Sequence, residues 1–155
     1  SMVGALAKQL GIRAIVETGG LPNAAVSPDA REAVFAAPSF DCRALFPYCA
    51  CAVHHGGAEM THTAAEAGIP SVIVSAFAVE AGWGERLEAL GIGRHLPHGE
   101  LTGERLADAI GDMLREPARQ RAQRLGQRIR SENGLQGALA WLERELTAAA
   151  VYRSE

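Results

Sequence analysis

Ala50-Cys51-Ala52-Val53-His54-His55-Gly56-Gly57-Ala58-Glu59-Met60-Thr61 reads as a buried strand, a glycine turn and the first turn of a helix. The helix body, Thr61-His62-Thr63-Ala64-Ala65-Glu66-Ala67, stops at Gly68. A strand that breaks at paired glycines directly before a helix gathers free backbone N–H groups and the positive end of the helix dipole at its carboxyl end. Such a point suits an anion, a phosphate above all.

Outward from this stretch the chain alternates strands and helices. Before it, residues 4–10 form a short helix closed by Gly11, and residues 12–17 a strand ending at Gly19-Gly20. Residues 21–29, with two prolines and an asparagine, are expected as a surface loop, and residues 32–36 as a second short strand closed by Pro38. A single helical turn around Ala44-Leu45-Phe46 is stopped by Pro47. After it, Ser71-Val72-Ile73-Val74-Ser75 is a β-branched run fit for a strand covered on both faces. Residues 80–90 make an amphipathic helix, residues 91–97 a last strand, and residues 102–115 a helix with Thr102 as N-cap. Pro117 opens a helix reaching about Ser131, Gly134 precedes a final one through Leu146, and residues 148–155 are expected to fray. This alternation predicts an α/β fold with a parallel sheet, in one domain over residues 1–147.

Composition narrows the function classes. The 155 residues suit one domain with its own core; 48% are hydrophobic, 21% charged and the net charge is −3, so a soluble globular protein is the expectation. Lys8 is the only lysine beside many arginines, a bias of GC-rich bacterial coding, and the weak acidity argues against a nucleic-acid surface. No apolar run approaches the roughly 18 residues of a membrane span, and the expected location is cytoplasmic.

Cys42, Cys49 and Cys51 crowd together in an odd number, which suggests reduced thiols. On an extended strand Cys51 and Val53 share one face while Ala50, Ala52 and His54 share the other, so a metal cluster with His54 and His55 is not expected.

The run Val53-His54-His55-Gly56-Gly57-Ala58-Glu59-Met60-Thr61, its helix, Ala67-Gly68-Ile69-Pro70 and the following strand resemble the signature region of GT-B-fold UDP-glycosyltransferases. The likeness is strongest to the bacterial antibiotic (macrolide) enzymes and the sterol glucosyltransferases. It continues through Trp83-Gly84-Glu85-Arg86, Leu90-Gly91-Ile92-Gly93 and Leu101-Thr102-Gly103-Glu104-Arg105-Leu106, and covers residues 31–147. The resemblance implies a Rossmann-like doubly wound sheet with helices on both faces, the C-terminal half of such an enzyme, which holds the nucleotide-sugar donor. It implies that His54 contacts the donor diphosphate, its neutral-to-cationic range suiting a phosphate. Gly56, Gly57 and Ala58 would let the backbone approach. Glu59 and Met60 depart from the family pattern of a glycine and a small hydroxyl residue. Val79 and Glu80 stand where the family has an aspartate–glutamine pair that bonds sugar hydroxyls, and valine cannot accept such a bond. Trp83 is expected as core packing, and His95 and His98 as solvated loop residues. A UDP- or TDP-sugar is the expected donor substrate; neither a cofactor nor a metal is implied, and no catalytic residue lies in this chain, because the family's histidine base belongs to its N-terminal domain.

Two further expectations come from the family pattern. The resembled domain opens with a strand that ends near the position of Ser1-Met2-Val3-Gly4, so this sheet lacks its first, central strand. The open edges call for a partner, either an N-terminal acceptor domain or a second chain supplying the strand, with a homo-oligomer among the options. Function is therefore expected as the donor-binding half of a glycosyltransferase acting on an acceptor hydroxyl of a small natural product or sterol-like molecule, inactive alone. The alternative is a non-catalytic glycosyltransferase-like partner or binding module with a degenerate donor site, favoured by Glu59 and Val79.

Overall fold

The computed structural model describes residues 2–20 and 30–152, with side chains to residue 146. Helix α1 (Met2–Leu10) leads into strands β1 (Ala14–Glu17) and β2 (Val34–Ala37), which pair in parallel. A short turn of helix, α2 (Cys42–Leu45), and a 3-10 turn through Tyr48 lead to β3 (Ala52–His54). Then follow α3 (Ala58–Ala67), β4 (Ser71–Ser75), α4 (Ala78–Ala89) and β5 (Gly93–Pro97). Helices α5 (Gly103–Leu114), α6 (Glu116–Ser131) and α7 (Gly134–Tyr152) complete the described chain.

β3, β4 and β5 form a parallel sheet in that order, and β1 and β2 form a second, separate parallel pair. No strand joins the two sets among the described residues, and α1 packs against both. Its Leu6 packs in one core with Val72, Leu96, Leu106 and Ile110, while the adjacent Ala7 packs with Ala30 and Val34 under the small pair.

β4 decides that helices cover both faces. Its neighbours Val72 and Ile73 are both 0% exposed, yet they enter different cores, because successive strand residues point to opposite sides. Val72 meets α1 and α5; Ile73 meets Leu87 of α4, Ile92 and Ala122 of α6. Ala52 of β3 packs with Phe46, Ala64 and Ile69, whereas Cys51 lies against the opposite core, so the alternation expected for this strand holds.

Several boundaries differ from the expected ones for local reasons. Ile12 is not in the ladder because its N–H closes α1 on the Ala7 carbonyl; pairing begins with Ala14 N–H donating to Ala33. α4 starts earlier than expected, at Ala78, since Glu80 caps it. α7 continues to Tyr152, beyond the expected end, through an alanine-rich stretch of high helix propensity. The expected loop at residues 21–29 lies outside the described residues. No described helix is long and apolar enough to cross a membrane. The three cysteines are free, and no group of three possible metal ligands occurs among the described residues.

Candidate functional site

The β3–α3 turn lies at the carboxyl end of the three-stranded sheet. Gly56 adopts φ +97°, a left-handed value open to glycine, and a Cβ there would lie 2.6 Å from Ile73 Cγ2 and 3.0 Å from the Glu80 carbonyl oxygen. That close approach brings the first turn of α4 against the turn. Gly57 is the N-cap of α3, and a Cβ on it would strike the His55 ring at 2.6 Å from Nε2. As no side chain caps α3, the N–H groups of Ala58, Glu59 and Met60 are left without a hydrogen-bond partner among the described residues. Gly68, at φ +78°, terminates the helix with N–H bonds to the carbonyls of Ala64 and Ala65.

His54 sits half-buried at the end of β3. The Gly56 N–H donates to its Nδ1 at 3.2 Å, so Nδ1 is the acceptor and the proton resides on Nε2. Nε2 is buried and has no partner among the described residues. Burial, reinforced by neighbouring His55, pushes this imidazole from 6.5 down to about 4. In the ligand-free chain this leaves His54 neutral at pH 7, an N–H donor rather than a cation. Thr61 Oγ1, one turn into α3, is likewise buried without a partner.

Of the remaining expected site residues, Ala58 and Glu59 are exposed at the helix start and Met60 packs into the core around Ala64. Glu80 serves its own helix: one carboxylate oxygen accepts the N–H of Ala76 at 2.7 Å and of Phe77 at 3.0 Å. Those bonds, that to Ala76 foremost, lower its pKa. Val79 is 79% exposed and points its apolar side chain to solvent at the start of α4. Trp83, expected in the core, is 40% exposed on the same helix face four residues on.

His95 departs furthest from its expected role. It lies in β5, not a loop, and its Nε2 is 2.7 Å from the Oγ of Ser75 at the end of β4. Its ring packs where a Cβ on Gly84 would stand, 2.8 Å away, and its backbone N–H donates to Glu88 Oε1 at 2.9 Å. The signal lay in Gly84, whose missing side chain makes room for the ring, and in a serine closing an otherwise β-branched strand.

Residues 13–137 match the family described as the erythromycin biosynthesis protein CIII-like C-terminal domain. The chain belongs to that family. Among curated relatives it is 37% identical over 106 residues to sterol 3-beta-glucosyltransferase UGT80A2 of Arabidopsis thaliana, covering 68% of this chain and 17% of that protein. It is 35% identical over 142 residues to O-mycaminosyltylonolide 6-deoxyallosyltransferase of Streptomyces fradiae, covering 88% of this chain and 32% of that one. The chain therefore spans about a third or less of these relatives. In fold it is similar to the glycotransferase of kitacinnamycin, with TM-score 0.80 and 20% identity over 92% of this chain and 38% of the other. It is also similar to glycosyltransferase VinC, solved in complex with DTDP, with TM-score 0.69 and 24% identity over 81% of this chain and 32% of that one. The resemblance read from the His54–Gly57 run is thus confirmed at the level of family, and the doubly wound half-molecule at the level of fold.

Proposed function

We propose that this chain is the donor-binding half of a glycosyltransferase that moves a sugar from a UDP- or TDP-sugar to an acceptor hydroxyl of a natural product or sterol-like molecule. The β3–α3 turn holds the diphosphate. In the displacement at the anomeric carbon, negative charge accumulates on the departing diphosphate, and fixed N–H donors aimed at that charge lower the barrier. The donors here are Nε2 of His54 and the free N–H groups of Ala58, Glu59 and Met60 at the α3 N-terminus. Gly56 and Gly57 let the turn pack closely against Ile73, Glu80 and His55, which holds these donors in place. The base that deprotonates the acceptor belongs to an N-terminal acceptor domain outside this chain.

The single observation that carries this reading is the buried, unpaired Nε2–H of His54. Leaving such a donor unmet costs about 1–3 kcal/mol, and a phosphate oxygen would meet it. Two features support a partner domain. β1 and β3 each keep one edge without a strand partner among the described residues. Leu135, Leu139, Leu142 and Leu146 form an exposed apolar stripe along α7. Free thiols and a nucleotide-sugar substrate fit a cytoplasmic location.

Calorimetric titration of the chain with UDP and TDP tests the reading. Saturable binding is expected, weakened about tenfold or more in His54→Ala and partly restored in His54→Gln, whose amide N–H2 can again donate. A folded chain, checked by circular dichroism, that binds neither nucleotide overturns the reading in favour of a non-catalytic module.

A further inference from the structure

A separate concavity lies at the start of β5, two strands away from β3, where the ends of α4 and α5 meet the start of α6. Its volume is about 490 Å³, and its lining carries the guanidinium groups of Arg94, Arg115 and Arg121 against the carboxylates of Glu88 and Asp112. Cations gather here because two helices end at this point, each with the negative end of its dipole. Two of the three are accounted for: Asp112 pairs with Arg94 at 3.7 Å and with Arg115 at 3.1 Å, one on each carboxylate oxygen. Glu88 accepts the backbone N–H of His95 at 2.9 Å. Arg121 has neither an ion pair nor a hydrogen bond among the described residues. Its side chain lies over the turn that follows α4, where a Cβ on Gly91 would stand 3.0 Å from its Nη1 and 3.4 Å from its Cζ. The carbonyls of Arg86, Leu87 and Glu88 in the last turn of α4 already accept the N–H groups of Leu90, Ile92 and Gly91, so they hold no open place for this guanidinium. α6 opens on the same space without a side-chain cap, which adds the positive end of its dipole. Glu116 in its first turn is engaged by Gln120 at 3.1 Å and Arg119 at 3.8 Å.

We infer that this concavity binds a phosphate group, as the free ion or on a small phosphate ester, through the unspent guanidinium of Arg121 with Arg115 beside it. A guanidinium presents five N–H donors in a planar fork that matches two phosphate oxygens. Arg115 gives Asp112 only its Nη1, so donors remain on its other side. The lining holds one positive charge in excess of its carboxylates, in a chain whose net charge is −3, and an anion answers that excess. Beneath the charges the surface is apolar: Met113 and Ala118 are each 5% exposed, and Pro117 lies beside them. That floor receives the carbon part of an ester, and the concave shape suits a small anion rather than a flat charged surface.

The test is titration of isotopically labelled chain with inorganic phosphate and with glucose 1-phosphate, followed at the backbone amides of Gly91, Arg94 and Glu116 and at the side-chain Nε–H of Arg121. Saturable shifts at these signals are expected. Their affinity is expected to fall about tenfold or more in Arg121→Gln, which removes a charge-assisted donor pair, and less in Arg121→Lys, which keeps the charge without the fork. In His54→Ala they are expected unchanged. Arg121 is exposed, so neither substitution at this position threatens the fold. Tighter binding of glucose 1-phosphate bears the site out with an ester as its ligand, and tighter binding of inorganic phosphate bears it out with the free ion. Absence of saturable shifts at these positions, or an affinity that Arg121→Gln leaves unchanged, overturns the inference. So do shifts confined to Gly57, Ala58, Glu59 and Met60 that vanish in His54→Ala, because the anion then sits at the β3–α3 turn alone.

Discussion

At the scale of single residues, His54 is tuned by its surroundings. Its imidazole is held at about 4 in the folded chain against 6.5 when free, so between those values the unfolded chain binds more protons. Stability from this group is complete above pH 6.5 and declines as pH falls toward 4, by up to about 3 kcal/mol. In an NMR titration the His54 ring resonance is expected to move with a midpoint near 4, and His54→Gln is expected to flatten the stability curve across that window. A midpoint near 6.5 would contradict the burial. Gly56 is the second such residue. Gly56→Ala must place a methyl within 2.6 Å of Ile73 at φ +97°, so urea unfolding is expected to register a loss of about 2 kcal/mol or more. The paired glycines were legible in the sequence as a turn; the proton state of His54 was not, since it depends on burial by residues far away in the chain. The Cys51 thiol follows the same logic, pushed by burial up to about 12 and so inert at neutral pH.

Among elements, the contact between α3 and α6 anchors the C-terminal end of α3. Gly126 of α6 lies so close to the α3 terminus that a Cβ would meet Gly68 Cα at 2.7 Å and the Ala65 carbonyl at 2.9 Å. Arg130 of the same helix donates to the Glu66 carbonyl, and Arg43 of α2 pairs with the Glu66 carboxylate at 3.4 Å. Gly126→Ala is expected to push the helices apart and cost about 1–3 kcal/mol in urea unfolding; an unchanged midpoint would mean that the crossing is looser than the geometry indicates. Helix and strand order was readable from the apolar runs and from Gly11, Gly68, Pro70 and Thr102, which act through local chemistry. Gly84 and the serine closing β4 left only a trace of the Ser75–His95 pair, since the pairing joins two strands whose register sets Ser75 beside Pro97, and a register is not written in either strand alone.

On the scale of the molecule, the division of the sheet is the dominant feature. Ala14 and Thr18 donate to β2 and Ala52 donates to Pro70, so by strand alternation the N–H groups of Ile15, Glu17 and Val53 face the open edges. In hydrogen exchange these three amides are expected to be fast while those of Val72 and Ile73 are slow; slow exchange at Ile15 and Val53 in the isolated chain would mean that the edges are already covered. The parallel pairing within both sets was legible from the alternation of strands and helices. The central claim, a diphosphate seated at the β3–α3 turn, is tested most directly by titrating isotopically labelled chain with TDP and following its backbone amides and the His54 side chain. The account predicts saturable shifts at Gly57, Ala58, Glu59 and Met60 together with the His54 Nε2 signal. Shifts absent from that turn, or confined to α5 and α6, would contradict it.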